Sequence, residues 1–293
     1  MNKTVIALGF FDGVHRGHQR ILQTAVKVAQ EKGYTPIVVT FANQPRAFLT
    51  QKPSQLITTN ARREAYIRKQ GIEEVYMLPF DGDMAVMPPE DFVRDILIGQ
   101  FNCGAVVCGE NYTFGAKGQG NGHLLEALGK KYGFECHVCF PVVHNGDTVS
   151  STMIRNQIAM GNVALATRLL GHEYYIQGTV VHGRGVGRKL GFPTGNFELQ
   201  PGMLVPKFGV YAAWLRTDNG IYRTAINIGI RPTFGLTTPV VEFNILDFTG
   251  DLYDADVELS LVEFLRPEQT FPSKEALVEQ IARDVERVKE ILA

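Results

Sequence analysis

Hydrophobic positions along this chain follow two textures. Up to about residue 171, short apolar runs trade places with stretches of helical period. The run Val5 to Phe11 leads into a helical pattern over Ile21 to Ala29. Thr35 to Phe41 reads as a buried strand, Arg62 to Lys69 as a helix that Thr59 or Asn60 can cap, and Glu74 to Pro79 as a second short strand. Pro88 and Pro89 suit the first turn of a helix with Phe92, Ile96 and Leu97 on one face. Ala105 to Cys108 is another buried run, His123 to Lys131 a helix, and Cys136 to Val143 the last strand of the series. Near-continuous apolar strands alternating with helices predict a doubly wound, Rossmann-like parallel sheet, which binds ligands beyond the carboxyl ends of its strands.

From Tyr174 the texture changes. Tyr175 to Val181, Gly209 to Leu215, Ile221 to Ile228, Val240 to Leu246 and Asp256 to Phe264 are rich in Val, Ile, Tyr and Phe, with turn signals between them and no long helix. This pattern predicts an antiparallel β-barrel. One helix ends the chain, capped by Ser273 and running from Lys274 to Leu292, with Ala276, Leu277, Ile281, Val285, Val288 and Leu292 as its buried stripe. The expected division is 1–171 and 172–293.

Composition adds exclusions. A chain of 293 residues has room for two cores. Lys plus Arg number 29 against 30 Asp plus Glu, so there is no electrostatic case for nucleic acid or an anionic membrane. No apolar stretch reaches the ~18 residues of a membrane span, and the N-terminus enters a strand without a charged leader, so the expected location is the cytoplasm. Of the four cysteines, Cys136 and Cys139 are three apart on a predicted strand, where side chains point to opposite faces and chelate poorly. Buried thiols are the expectation.

Candidate chemistry begins at Gly9-Phe10-Phe11-Asp12-Gly13-Val14-His15-Arg16-Gly17-His18. A strand, a glycine-containing turn and a helix N-terminus hold phosphate well, and two imidazoles add donors. The segment resembles the His-x-Gly-His signature of nucleotidyltransferases. Ser150-Ser151-Thr152-Met153-Ile154-Arg155 offers hydroxyls, free N–H groups and a guanidinium for a triphosphate; alone it is also an ordinary helix cap followed by a solvated arginine. The glycine-rich loop Gly109 to Gly122, with Asn111, is either functional or a surface excursion. In the second half, His182 to Asn196 sets Gly183, Gly187 and Lys189 around a possible phosphate, although the P-loop order is missing. Thr194 and Asn196, two apart on an extended segment, can reach one Mg²⁺. Glu242 sits inside an apolar strand with Asn244 on its side; most strand carboxylates face solvent, a barrel wall fits the pattern too, and periodicity does not decide between a solvated and a functional carboxylate.

Together these segments resemble the bifunctional bacterial riboflavin kinase/FAD synthetase family. The resemblance runs in order over nearly the whole chain. It rests on Gly9 to His18, Asn111 to Gly115 and Ser150 to Arg155 in the first half. In the second it rests on Gly191 to Asn196, Gly209-Val210-Tyr211, Ile228 to Thr233, Glu242, Asp247-Phe248 and Leu265 to Glu268. It implies transfer of the ATP γ-phosphoryl to riboflavin on the barrel, then transfer of AMP from a second ATP to FMN on the parallel sheet. Riboflavin, FMN and ATP are the implied partners. Carried over, Thr194 and Asn196 hold Mg²⁺ and phosphate, Glu242 is the general base, His15 and His18 serve adenylyl transfer, and Gly9, Phe10, Asp12, Asn111, Ser151, Thr152 and Arg155 line its nucleotide site. Gly183, Gly187 and Lys189 border the kinase nucleotide, and Arg266 belongs to a flap over flavin.

Four departures stand out. Asn43-Gln44-Pro45 replaces Pro-His-Pro, and Gln44 carries no charge for a phosphate. Pro-Thr-Gly-Asn replaces Pro-Thr-Ala-Asn, a change expected to free the backbone. Asn244 stands where histidine is common. A lead-in of about a dozen residues before the first strand is missing. The competing expectations are a relative with one surviving activity, a flavin-binding regulator, and a cytidylyl- or pantetheine-type nucleotidyltransferase with an unrelated β-domain. Retention of Thr194, Asn196 and Glu242 speaks against retirement of the kinase site.

Overall fold

A computed structural model describes residues 2–53, 55–182, 191–217, 220–233 and 236–293. Gly183, Gly187 and Lys189 lie outside the described residues. The backbone divides into two compact units, 1–151 and 152–293.

In the first unit, five parallel strands lie in the order β3-β2-β1-β4-β5: β1 (Thr4–Leu8), β2 (Thr35–Phe41), β3 (Glu74–Leu78), β4 (Cys103–Gly109) and β5 (Glu135–Cys139). Strand alternation sorts β1 between two cores. Val5 and Ala7 pack with Leu22 and Ala25 of α1 (Arg16–Lys32), while Ile6 and Leu8 pack with Val93, Leu97 and Leu125 on the opposite face. Burial on both faces is why these strands read as unbroken apolar runs.

The other helices of this unit are α2 (Pro45–Thr50), α3 (Asn60–Arg68, capped by the Thr59 side chain), α4 (Gly82–Val86), α5 (Pro89–Asp91) and α6 (Gly122–Tyr132). Pro89 does open a helix, but α5 passes directly into a π-helix over Phe92–Gln100. The expected strand Cys136 to Val143 breaks after Cys139. Pro141 has no N–H for a ladder, and the chain turns into a hairpin of β6 (Val143–His144) and β7 (Asp147–Thr148). Asn145 and Gly146, at φ 51° and 90°, supply its left-handed turn. The thiols fall on opposite faces as strand periodicity requires, Cys136 against the cluster of Ile6 and Cys139 against that of Val5, but on this edge strand both are half-buried, and only Cys103 and Cys108 are buried. Burial pushes the Cys103 thiol up to about 12.

The second unit opens with α7 (Ser151–Met160, its first residue in the first unit) and α8 (Val163–Leu170). A six-stranded antiparallel sheet follows in the order β8-β13-β10-β11-β12-β9. Its strands are β8 (Tyr175–Thr179), β9 (Gly195–Glu198), β10 (Gly209–Thr217), β11 (Gly220–Thr233), β12 (Leu236–Ile245) and β13 (Asp256–Arg266). A bridge between Val181 and Asn196 brings the two edges together, so the barrel is nearly closed. The terminal helix α9 (Lys274–Ile291) is capped by the Ser273 hydroxyl and packs Val285, Val288 and Leu292 against Ala212 and Leu246. One charged residue, Asp284, lies within that stripe, 7 % exposed.

Candidate active sites

The parallel sheet brings the Gly9 to His18 segment to the carboxyl end of β1, beside the point where chain order reverses between β1 and β4. His15 caps α1. Its Nδ1 accepts from the N–H groups of Gly17 and His18 at 3.1 and 3.3 Å, which assigns the neutral ring's proton to Nε2. The rings of His15 and His18 stack with centroids 3.6 Å apart, and Phe11 meets His18 edge-on at 5.3 Å. A Cβ on Gly17 would come within 3.1 Å of the His15 ring, so glycine makes room for the cap. The turn is strained at Phe11 and Val14, with φ of 57° and 38°, while Gly13 takes its φ of 77° without cost.

Its hold on the rest of the unit is polar. The Asp12 carboxylate, 2 % exposed, accepts from the N–H groups of Ile57 and Thr58, and Gly13 donates its N–H to the Thr58 hydroxyl at 3.2 Å. The carboxylate of Asp12, a residue expected among the nucleotide contacts, clamps this loop. Ser151 donates its hydroxyl to the Asp12 carbonyl at 3.0 Å, so the serine-rich helix start does meet the first motif. Thr152 and Arg155 follow on α7 in the second unit.

The Gly109 to Gly122 loop folds back on itself. Phe114 pairs with Gly120, and Phe114 stacks on Tyr112 at 5.9 Å and leans on Phe92 at 5.8 Å. Asn111 is exposed at its tip. This loop, with Phe41, Pro45, Leu49, Phe80 and Met84, lines an apolar cavity of about 130 Å³. Asn43 fastens that wall by a reciprocal pair: its amide donates to the Phe80 carbonyl, and the Phe80 N–H donates to its Oδ1, both at 2.8 Å. This position, read in the sequence only as a lost proline, thus closes β2 onto the segment after β3. Among the described residues, Arg63 is a functional candidate that sequence reading missed, because a surface helix arginine and a buried one look alike.

In the second unit β9 and β12 pair antiparallel with Asn196 opposite Glu242 and Gly195 opposite Phe243. Period two then sets Thr194, Asn196, Glu242 and Asn244 on one face, and Phe197 and Phe243 on the other, where they are buried. The Thr194 hydroxyl donates to Glu242 Oε1 at 2.7 Å, and the Asn244 amide donates to the Pro193 carbonyl at 2.7 Å. β9, a strand that hydrophobic periodicity does not reveal, thus places Glu242 beside Thr194.

Thr194 lines two cavities. One of about 340 Å³ is lined by Glu242, Ile226, Phe271, Leu277 and Arg266 among others. The other, about 210 Å³, is lined by Val180, Phe248, Asp251 and Tyr253. Arg266 does border the larger cavity, but its guanidinium is held from the side by α9: Nε donates to both Asp284 oxygens at 3.0 Å, a terminal nitrogen to one at 2.7 Å, and Gln280 donates to Asp284 as well. The hydroxyl, amide and carboxylate oxygens of Thr194, Asn196 and Glu242 are hard donors of the kind Mg²⁺ takes, so the residues fit that ion.

Two family patterns cover the chain: FAD synthetase matches residues 1–153 and riboflavin kinase residues 170–292. A bifunctional riboflavin kinase/FMN adenylyltransferase of Bacillus subtilis is 36 % identical over 288 residues, covering 96 % of this chain and 90 % of its own. Its counterpart in Escherichia coli K12 is 35 % identical over 282 residues, with the same coverage.

The chain belongs to the bifunctional riboflavin kinase/FMN adenylyltransferase family.

A solved structure described as a macrolide-efflux protein of Streptococcus pneumoniae superposes with a TM-score of 0.90 at 31 % identity, covering 98 % of this chain and 94 % of that one. No helix among the described residues is long and apolar enough to cross a membrane. In this family the two patterns meet the two sites described above: the strained turn lies in the FAD synthetase match, and the Thr194–Glu242 pair in the riboflavin kinase match.

Proposed function

We propose that this chain phosphorylates riboflavin to FMN on its barrel and adenylylates FMN to FAD on its parallel sheet, each with one ATP. The observation that carries the kinase half is the Thr194 to Glu242 hydrogen bond at the junction of two cavities. The larger, apolar cavity suits the flavin ring, and the smaller one suits ATP, so that Thr194 marks the meeting point of γ-phosphate and ribityl 5′-hydroxyl. The hydroxyl oxygen forms the new P–O bond, the β–γ bridge breaks, ADP leaves, and Glu242 accepts the hydroxyl proton. Mg²⁺, held by Thr194 and Asn196, would neutralise phosphate charge.

On the sheet, the α1 N-terminus and the imidazoles of His15 and His18 stabilise the phosphates of the second ATP, with Ser151 as a further phosphate contact. A phosphate oxygen of FMN attacks the α-phosphorus and pyrophosphate leaves. The protein's work there is positioning and charge stabilisation. The aromatic wall of Phe41, Phe80 and Tyr112 offers a face to the flavin ring. Functionally the chain divides near Gly171, with adenylyl transfer on 1–171 and phosphorylation on 172–293, in a cytoplasmic enzyme.

The test is direct. Purified protein incubated with riboflavin, ATP and Mg²⁺ yields FMN and then FAD on chromatography. FMN alone would reduce the reading to a kinase, and absence of both products would end it.

A further inference from the structure

Arg63 takes no part in the chemistry above, yet its side chain is the largest of the fully buried ones described, at 1 % exposure. One terminal nitrogen donates to the Phe10 carbonyl at 2.9 Å. The other donates to the Phe41 carbonyl at 2.6 Å and to Asn60 Oδ1 at 3.0 Å. The guanidinium also lies 4.4 Å from the centroid of the Phe10 ring. Thr40 supports the same carbonyl of Phe10 with its hydroxyl at 3.3 Å.

Burying a cation is costly, and burial lowers this guanidinium to about 10 against the opposing pull of Asp12. An apolar side chain would fill the space without that cost. What it could not do is satisfy the Phe10 and Phe41 carbonyls, which emerge past β1 and at the last residue of β2. Those ends frame the turn whose φ values at Phe11, Gly13 and Val14 are left-handed. Strain of that kind persists only when the surroundings hold it. Ile57, Thr58 and Arg63, close together in the chain, anchor the turn from this side together with Thr40. Helix α3 itself buries only Arg63 and Ile67.

We propose that Arg63 is a positioning residue for adenylyl transfer: its guanidinium ties the carboxyl ends of β1 and β2 together and fixes the turn that presents His15 and His18 to the ATP phosphates. This rests on reading that turn as the phosphate site.

The full chain is assayed for FAD formation from FMN and ATP, with riboflavin phosphorylation measured on the same preparation. Arg63→Met lowers kcat/KM for ATP in FAD formation about ten- to hundredfold, chiefly through a raised KM for ATP. The KM for FMN and the kinase rate hold. Arg63→Lys recovers part of the loss, since an ammonium reaches one carbonyl but not two. Wild-type constants in Arg63→Met overturn the proposal. So does a fall in kcat alone that matches the unfolded fraction seen by circular dichroism, because a merely structural role leaves the KM for ATP unmoved. Should Arg63→Met fail to fold, Arg63→Lys decides by the same constant, and a wild-type KM for ATP overturns the proposal. His18→Ala runs beside them: full FAD formation in that variant removes the phosphate-site reading itself, whatever Arg63 does.

Discussion

Gly195 shows how a single atom couples sequence to packing. The sequence suggests that glycine in Pro193-Thr194-Gly195-Asn196 frees the backbone. Its φ is not among the left-handed ones, so no such freedom is used. A Cβ there would instead overlap the ring of Phe243, its cross-strand partner, which is 1 % exposed. Glycine is the complement of a large aromatic, and the two residues keep Thr194 and Glu242 in hydrogen-bond reach. Gly195→Ala is expected to cost the second unit about 1–3 kcal/mol, and Phe243→Leu in the same chain to return most of it. Urea titration followed by fluorescence of Trp214 reads both. Equal stability of the single variant and the parent would show that the ring yields freely.

At the scale of elements, α1 buries one continuous stripe against the parallel sheet. Ile21, Leu22, Ala25, Val28 and Ala29 recur at helical spacing and meet Val5, Ala7 and Val107 of the sheet. Leu22 is fully buried, so Leu22→Ala should destabilise that unit by about 2–5 kcal/mol. Calorimetry should show an earlier melting transition for residues 1–151 with riboflavin phosphorylation intact at 25 °C; a loss under about 1 kcal/mol would mean that the helix is not docked as described. Helices of this kind were legible because their stripe is long. β9 was not, because a four-residue strand with one glycine leaves no periodic signal and forms only against β12. Asp284 gives no signal in the α9 stripe for a related reason. A carboxylate on a buried face makes sense only with Arg266 opposite it.

At the scale of the whole molecule, the two family matches fall on two units with separate cores, and the proposed function gives each one chemistry. Separate sites fail separately. Glu242→Gln keeps the shape but cannot accept a proton, so it should abolish FMN formation and leave added FMN convertible to FAD. His18→Ala should do the reverse. Both are read by chromatography of the three flavins. Loss of both activities in either folded variant would contradict the assignment of one site to each unit. Packing and motif do not divide the chain at the same place. α8 lies against β13, whereas Ser151 at the start of α7 binds the Asp12 carbonyl. The break in composition at Tyr174 marks where barrel strands begin, and could not report that the preceding helices pack with them.

By itself the sequence determined the two architectures, the strand and helix periods, the cap at Ser273 and a choice of Thr59 or Asn60 for α3, and the motifs that bring His15, His18, Thr194 and Glu242 to notice. These are local properties: they follow from spacing and residue type within a few turns of chain. Tertiary structure alone decided that Asp12 clamps a loop, that Arg63 is a buried brace, that Asn43 closes the aromatic wall, and that Glu242 faces a cavity beside Thr194. Each of those roles depends on a partner some 35 to 55 positions away in the chain, and a charge or amide declares its purpose only when folding brings in the group that satisfies it.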